Sequence, residues 1–166
     1  MPITIRPGAP DDLELLVRFN AAMALETEAR ELDPQRLRAG IRAVLEGAEG
    51  GVRGAYRVAQ DAERPGDGAL GALLVTREWS DWRNGWFWWI QSVYVEPAAR
   101  RRGVLAALYR DVLAEARARG DVCGVRLYVE RQNRVAREAY RRLGMADSSY
   151  RLMEVELEGE PPPPAS

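Results

Sequence analysis

Residues 93–109, VYVEPAARRRGVLAALY, decide the fold of this 166-residue chain. Val93, Tyr94 and Val95 end an apolar run over residues 86–95, which predicts a strand covered on both faces. The loop after it carries basic residues and a glycine: Arg100, Arg101, Arg102 and Gly103. A helix then opens with Val104, Leu105 and Ala106. Free amides and the dipole at a helix N-terminus favour anions, so this junction predicts a pyrophosphate site. A solvated basic loop is the alternative.

Upstream of this segment, the pattern predicts one strand, two helices and two further strands. The strand covers residues 3–6, and the helices begin at Pro10 and at Asp33-Pro34, an N-cap with a first-turn proline. The two further strands cover residues 52–59 and 69–75. Downstream, helices are predicted over residues 104–119 and 133–143, a strand over 122–129, and one or two strands over 145–157.

This order of elements predicts an α/β protein of the α+β type. The expected architecture is a mixed, mostly antiparallel central sheet of six to seven strands, flanked by about four helices on both faces. We expect residues 1–158 to form one domain. Residues 159–166, with four consecutive prolines, are expected to be a disordered tail.

The composition excludes several kinds of chemistry. The chain has no histidine, no lysine and one cysteine, which removes the Ser-His-Asp triad, Schiff-base catalysis and metal sites built on His or on Cys clusters. We expect no metal. A net charge of −1 gives no general attraction for nucleic acid. With no apolar run of about eighteen residues, no membrane partner is expected, and the lone Cys123 fits a reducing cytoplasm.

A second motif follows the predicted strand over residues 122–129. It has the form N-x-x-A-x-x-x-Y-x-x-x-G-M, with Asn133, Ala136, Tyr140, Gly144 and Met145. Together the two segments resemble the GNAT superfamily of acyl-CoA-dependent N-acetyltransferases. That family has Q/R-x-x-G-x-G/A in its phosphate loop and a Phe after the later glycine. Arg100 and Gly103 match the first pattern, and Leu105 stands where Gly or Ala is usual.

The resemblance implies an N-acetyltransferase that uses acetyl-CoA and a small-molecule or peptide amine, with direct attack in a ternary complex. Backbone groups of Val93, Tyr94 and Val95 would bind the pantetheine arm, and an N–H there would polarise the thioester. The amides from Arg101 to Ala106 would hold the pyrophosphate. Asn133 would bond the cofactor arm, and Tyr140 would protonate the departing thiolate. A CoA-binding or protein-interaction module without catalysis is the alternative.

The general base stays open. Residues 88–95 contain no carboxylate, and Tyr128 stands five residues before Asn133, where some relatives have glutamate. We rank Glu26 and Glu28, at the end of the first helix, as the candidates. The alternatives are Glu96, Glu130, or a water chain from Gln91 and Ser92.

The acceptor site is predicted from the tryptophans, which all fall within residues 79–89. We take Trp82, Trp89 and Gln91 as substrate-binding residues, and nearby Glu26 and Glu28 would suit a small cationic amine. Core packing is expected for Trp88, while Trp79 and Trp82 are placed in a loop. Exposed tryptophans also fit a subunit contact, so a homodimer is an open alternative. Cys123 is expected to be a small buried side chain rather than a nucleophile.

Overall fold

A computed structural model describes residues 2–47, 54–64, 66, 68–155 and 157. Within them, five strands are present: β1 (Ile3–Pro7), β2 (Ala55–Asp61), β3 (Ala69–Ser80), β4 (Gly85–Val95) and β5 (Val122–Leu127). The four α-helices are α1 (Leu13–Glu28), α2 (Pro34–Leu45), α3 (Val104–Ala118) and α4 (Arg134–Arg142). The helix start predicted at Asp33 is confirmed, because its side chain accepts a hydrogen bond from the Arg36 amide at 2.7 Å.

The strands form one mixed sheet in the order β1-β2-β3-β4-β5. The first four strands are antiparallel to their neighbours, and β5 runs parallel to β4. A parallel pair needs a crossover connection, which α3 supplies. The carboxyl ends of β4 and β5 therefore lie at the same end of the sheet.

Helices cover both faces of the sheet, as predicted. Leu16 and Phe19 of α1 and Ile41 of α2 form a core cluster with Tyr56 and Val58 of β2. Arg57 lies between those two residues and so points to the other face. There it forms ion pairs with Asp111, at 3.4 Å, and with Glu115, both on α3.

The prediction of six to seven strands is wrong, since the described residues form five. No strand is found in the described part of residues 145–157, and the large apolar side chains from Tyr150 onward are exposed, to 92% for Met153 and 87% for Leu157. Apolar residues favour a strand where they pack against neighbours on a pleated, half-buried surface. These side chains have no such surface.

Two other expectations are corrected by the sheet. Trp79 lies within β3 and not in a loop, because β3 continues to Ser80 and pairs Trp79 with Trp86. Cys123 is exposed and not buried, because β5 is the edge strand of the sheet. Its thiol donates a hydrogen bond to the Trp86 carbonyl at 3.3 Å.

The chain divides into two compact units between Gln132 and Asn133. The first holds the whole sheet and α1 to α3. In the second, Asn133 caps α4 by accepting a hydrogen bond from the Ala136 amide at 3.0 Å. Asp147 pairs there with Arg141 at 2.7 Å. A single domain over residues 1–158 stays a prediction, and the tail over 159–166 lies outside the described residues.

Candidate active site

A β-bulge interrupts β4 near its carboxyl end. Leu74 pairs with Gln91 while Ala72 pairs with Tyr94, so Ser92 and Val93 together face the single residue Leu73. Ser92 has a φ of +49°, in the left-handed region. A bulge of this kind bends its strand and increases the local twist.

The parallel pair separates at this bulge. Pairing between β4 and β5 runs from Trp86 with Val122 to Ile90 with Leu127. Within the described residues, β4 has no rung with β5 beyond that point, although it stays paired with β3 as far as Val95. Residues 91–95 therefore border an opening on their β5 side. An extended ligand can bind such an edge as an added strand. The predicted residues Val93, Tyr94 and Val95 all lie along this opening.

The loop from β4 to α3 contains two left-handed residues, Arg101 with φ +61° and Gly103 with φ +85°. Gly103 occupies the N-cap position of α3, and a Cβ built there would meet no atom within 4 Å. The amides of Val104, Leu105 and Ala106 follow in the first helical turn, where N–H groups have no partner inside the helix. The backbone therefore provides a cluster of donors with open space in front of the glycine.

Gly71 of β3 brings α3 close to the end of β4. It pairs with Val95, and a Cβ built on it would lie 2.5 Å from the Tyr94 carbonyl oxygen and 3.3 Å from Val104 Cγ1. Val104 itself is fully buried. The absence of a side chain at Gly71 thus sets the position of the α3 N-terminus relative to the opening.

The Arg100 side chain holds this loop in place through contacts within the protein. Its Nε donates to the Val95 carbonyl at 3.0 Å, and its Nη2 pairs with Glu26 Oε2 at 2.6 Å. The guanidinium also lies 5.8 Å from the centre of the Tyr94 ring. Burial and the nearby Glu96 and Glu26 raise the pKa of Tyr94, so its hydroxyl remains protonated at neutral pH. Arg100 therefore links the end of α1 to the phosphate loop.

A row of polar and aromatic side chains lies on the face of β3, β4 and β5 that α1 covers further along the sheet. Trp89 Nε1 donates to Glu78 Oε2 at 2.6 Å, and Arg126 Nη1 donates to Glu78 Oε1 at 3.2 Å. The Tyr128 ring stacks on Trp89, with centroids 4.4 Å apart. Sequence reasoning did not identify Glu78 and Arg126, and it considered Tyr128 only as the residue that stands where some relatives have a glutamate. The polar residues Thr76 and Glu78, spaced two apart as on one face of a strand, were the sequence signal that could have indicated this row.

The predicted acceptor residues are only partly brought together. Trp89 and Gln91 share this face, where Gln91 Nε2 donates to Thr76 Oγ1 at 2.6 Å. Trp82 is 90% exposed in the turn between β3 and β4, at the far end of β4 from the opening. Trp88 is buried in the core, as predicted.

The predicted catalytic residues lie in both units. Glu26 and Glu28 are in the last turn of α1, and Glu26 is the residue paired with Arg100. Tyr140 is buried in α4 and Asn133 caps that helix, both in the second unit. Their roles toward a cofactor stay predictions.

Comparison with known proteins identifies the family. The family model described as "Acetyltransferase (GNAT) family" matches residues 22–145. The chain belongs to the GNAT family of acetyltransferases. It is therefore an acyltransferase, and enzymes of this family use acetyl-CoA.

Solved structures share the fold of this chain. One described as a possible acetyltransferase from Clostridium difficile 630 is 37% identical, with a TM-score of 0.85, over 96% of this chain and all of that one. A GCN5-related N-acetyltransferase from Ralstonia eutropha JMP134 is 24% identical, with a TM-score of 0.70, over 95% of this chain and all of that one. A predicted acetyltransferase with acetyl-CoA from Clostridium acetobutylicum is 17% identical, with a TM-score of 0.71, over 93% and 96% of the two chains. No curated protein matches the chain.

The described residues contain neither a membrane-spanning helix nor a clustered metal site. None of the helices there has the length and apolar character needed to cross a membrane. No group of three or more Cys, Asp or Glu side chains there is arranged to hold a metal ion.

Proposed function

We propose that this GNAT acetyltransferase moves an acetyl group from acetyl-CoA to a primary amine, by direct attack in a ternary complex. The observation that carries the proposal is the opening between β4 and β5, which leads to a left-handed loop and the N-terminus of α3. A strand edge suits an amide-containing arm, and a helix N-terminus suits a pyrophosphate. The two binding surfaces occur in the order in which CoA carries these groups.

The cofactor contacts follow from this arrangement. Backbone groups of Val93, Tyr94 and Val95 would pair with the pantetheine arm, and the amides of Arg101, Arg102 and Gly103, with those of Val104 to Ala106, would hold the pyrophosphate. Leu105 is half-buried and retains its backbone N–H, so the departure from Gly or Ala removes no donor. The related fold from Clostridium acetobutylicum, described with acetyl-CoA, supports the same choice of ligand. Asn133 is proposed as a further contact to the arm.

The chemistry requires two proton movements. The amine must attack as the neutral base, and the departing thiolate must gain a proton. An ordinary tyrosine, with a pKa of about 10, carries that proton at neutral pH. We therefore propose Tyr140 as the acid, with a backbone N–H near the bulge stabilising the charge on the thioester oxygen.

For the base we keep Glu26 and Glu28. Arg100 Nη2 pairs with Oε2 of Glu26, which leaves Oε1 as the oxygen that could accept a proton while the ion pair is intact. Glu28, at the last position of α1, is exposed. Glu96, Glu130 and a water chain from Gln91 and Ser92 remain the alternatives.

Calorimetric titration with acetyl-CoA, with dephospho-CoA and ATP as controls, tests the cofactor site. Release of free thiol in the presence of an amine panel then tests transfer. We expect acetyl-CoA to bind in preference to ATP, and at least one amine to accelerate thiol release. Binding without transfer to any amine would favour the non-catalytic module instead.

The Tyr140→Phe variant tests the acid. Loss of a positioned acid lowers kcat by about 10²- to 10⁴-fold, while the Kd for acetyl-CoA should stay unchanged. A kcat within a few-fold of the wild type would remove Tyr140 from the mechanism and leave the transferase assignment intact.

A further inference from the structure

The mouth of the β4–β5 opening is lined by aromatic rings. Ile90 and Leu127 form the last rung, so Gln91 and Tyr128 are the first residues beyond it. The Tyr128 ring stacks on Trp89 at 4.4 Å with 27° between the planes. Because Tyr128 is also 57% exposed, much of its ring is open to solvent beside the point where the strands separate.

The charges beside these rings are already paired. Both carboxylate oxygens of Glu78 accept hydrogen bonds, one from Trp89 and one from Arg126. The Arg126 guanidinium lies 3.4 Å from the centre of the Phe87 ring and 5.9 Å from that of Trp89. A guanidinium thus already lies over the rings of Phe87 and Trp89, where a cation would be attracted. The charges of Glu78 and Arg126 offset each other, and the exposed surface beside the opening is the aromatic ring of Tyr128.

We infer that the acceptor is a primary amine that carries a planar aromatic ring, with the ring stacked on Tyr128 and the amino group directed into the opening. This inference rests on the proposed function. Aromatic rings prefer offset-stacked or edge-to-face contacts with one another, and this preference adds to the burial of apolar area. A saturated ring of the same size gains only the burial.

The transfer step balances with these groups. The amine lone pair forms the C–N bond at the thioester carbonyl carbon, and the C–S bond breaks with its electron pair on sulfur. The amine loses one proton to water or to the base. The sulfur gains one proton, which Tyr140 is proposed to supply and later regain. The products are the aryl-bearing amide and the free thiol.

Two matched amines test the inference. Benzylamine and cyclohexylmethylamine are both primary amines with one methylene and a six-membered ring. They differ in the planarity of that ring and in the pKa of the ammonium group, which is lower for benzylamine, so kcat/KM for each is calculated from the concentration of the neutral amine. Thiol release from acetyl-CoA gives kcat/KM for each. We expect benzylamine to exceed cyclohexylmethylamine by about 3- to 10-fold, the range of an aromatic pair contact.

Three variants locate the effect. Tyr128→Leu should lower kcat/KM for benzylamine more than that for cyclohexylmethylamine and so remove most of the preference, whereas Tyr128→Phe, which keeps the ring, should retain the preference. Trp79→Leu is the control, because Trp79 is an exposed tryptophan on the opposite face of the same hairpin. Thermal melting and acetyl-CoA binding check that each variant is folded.

The outcomes separate this inference from the function on which it rests. Equal kcat/KM for the two amines in the wild type, or an equal loss for both in Tyr128→Leu, would overturn the aromatic acceptor and leave the transferase standing. If acetyl-CoA binds but no amine of a broad panel releases thiol, the proposed function fails and the inference fails with it.

Discussion

Replacing Gly71 with alanine should disturb the proposed cofactor site from the β3 side of β4, where Gly71 pairs with Val95. The new Cβ would lie 2.5 Å from the Tyr94 carbonyl oxygen and 3.2 Å from Val95 Cα. Carbon–oxygen contacts between strands begin at about 3.3 Å, so the end of β4 must move by about 0.8 Å. Overpacking of this kind costs about 1–3 kcal/mol in the free energy of unfolding. For a chain of this size, that lowers Tm by roughly 2–12 °C.

The same shift should weaken acetyl-CoA binding, because residues 93–95 carry the edge proposed for the pantetheine arm. Each hydrogen bond lost there costs about 1 kcal/mol, or about fivefold in Kd. Calorimetric Kd and Tm would be compared with those of Gly40→Ala. Gly40 lies within α2, and a Cβ there meets no atom within 4 Å, so that control should gain about 0.5–1 kcal/mol. If Gly71→Ala keeps the wild-type Tm and Kd, our account of how β3 positions the loop is incorrect.

Two ion pairs give the remaining predictions. Asp12 accepts hydrogen bonds from both terminal guanidinium nitrogens of Arg6 at 2.7 Å, and these bonds are the main reason that the pKa of Asp12 is lowered. The contribution of Asp12 to folding stability is therefore complete above about pH 3.9, and it is lost as the pH falls through the lowered pKa. Asp12→Asn should cost about 2 kcal/mol in urea unfolding at pH 7, with a smaller difference below pH 3.9; a difference independent of pH would contradict this. Glu26→Gln, which breaks an exposed pair with Arg100, should raise KM for acetyl-CoA up to about fivefold, whereas Glu28→Gln should leave that KM unchanged. The kcat of each variant is measured in the same assay, because both carboxylates are candidates for the base. A 100-fold fall in kcat at constant KM would instead make Glu26 the base.

Much of the fold was predictable because its strongest patterns are local. The apolar run over residues 86–95 and the Asp33 cap each specify their element within about ten residues of chain. The strands predicted over residues 145–157 are not found in the described residues, because a strand also depends on a partner that is distant in the sequence. Tyr150 and Leu152 are two residues apart, as are Val155 and Leu157, which is the spacing of one strand face, yet all four are exposed. This spacing cannot reveal whether a neighbouring strand is present to pair. The extension of β3 past Val75 was likewise missed, since its polar residues are ordered by pairing with β4 and not by burial.

In the candidate site, too, the local features were predictable and the contacts between distant residues were not. The arginine-glycine loop is contiguous, so its place between β4 and α3 was predicted correctly. The contacts of Glu78 were not predictable, because its partners Trp89 and Arg126 come from two other strands and only the register of the sheet brings them together. For the same reason, the sequence did not reveal that Arg100 bonds to Val95 and Glu26, although it marked Arg100 as a site residue.

The bulge at Ser92 explains why one short stretch of β4 carries so much of the candidate site. An extra residue opposite Leu73 bends β4, and its ladder with β5 ends two residues before Ser92, at Ile90. The sheet thereby gives up the hydrogen bonds that Gln91 to Val95 would have made on their β5 side. Arg100 Nε already bonds the Val95 carbonyl. Unpaired backbone groups are costly when they are buried, so the rest of this edge is stable only where water or a ligand pairs with it. The local loss of sheet structure is therefore what leaves the donors and acceptors that an extended amide ligand needs. The left-handed Ser92 conformation is the feature of β4 that a search for this site should start from.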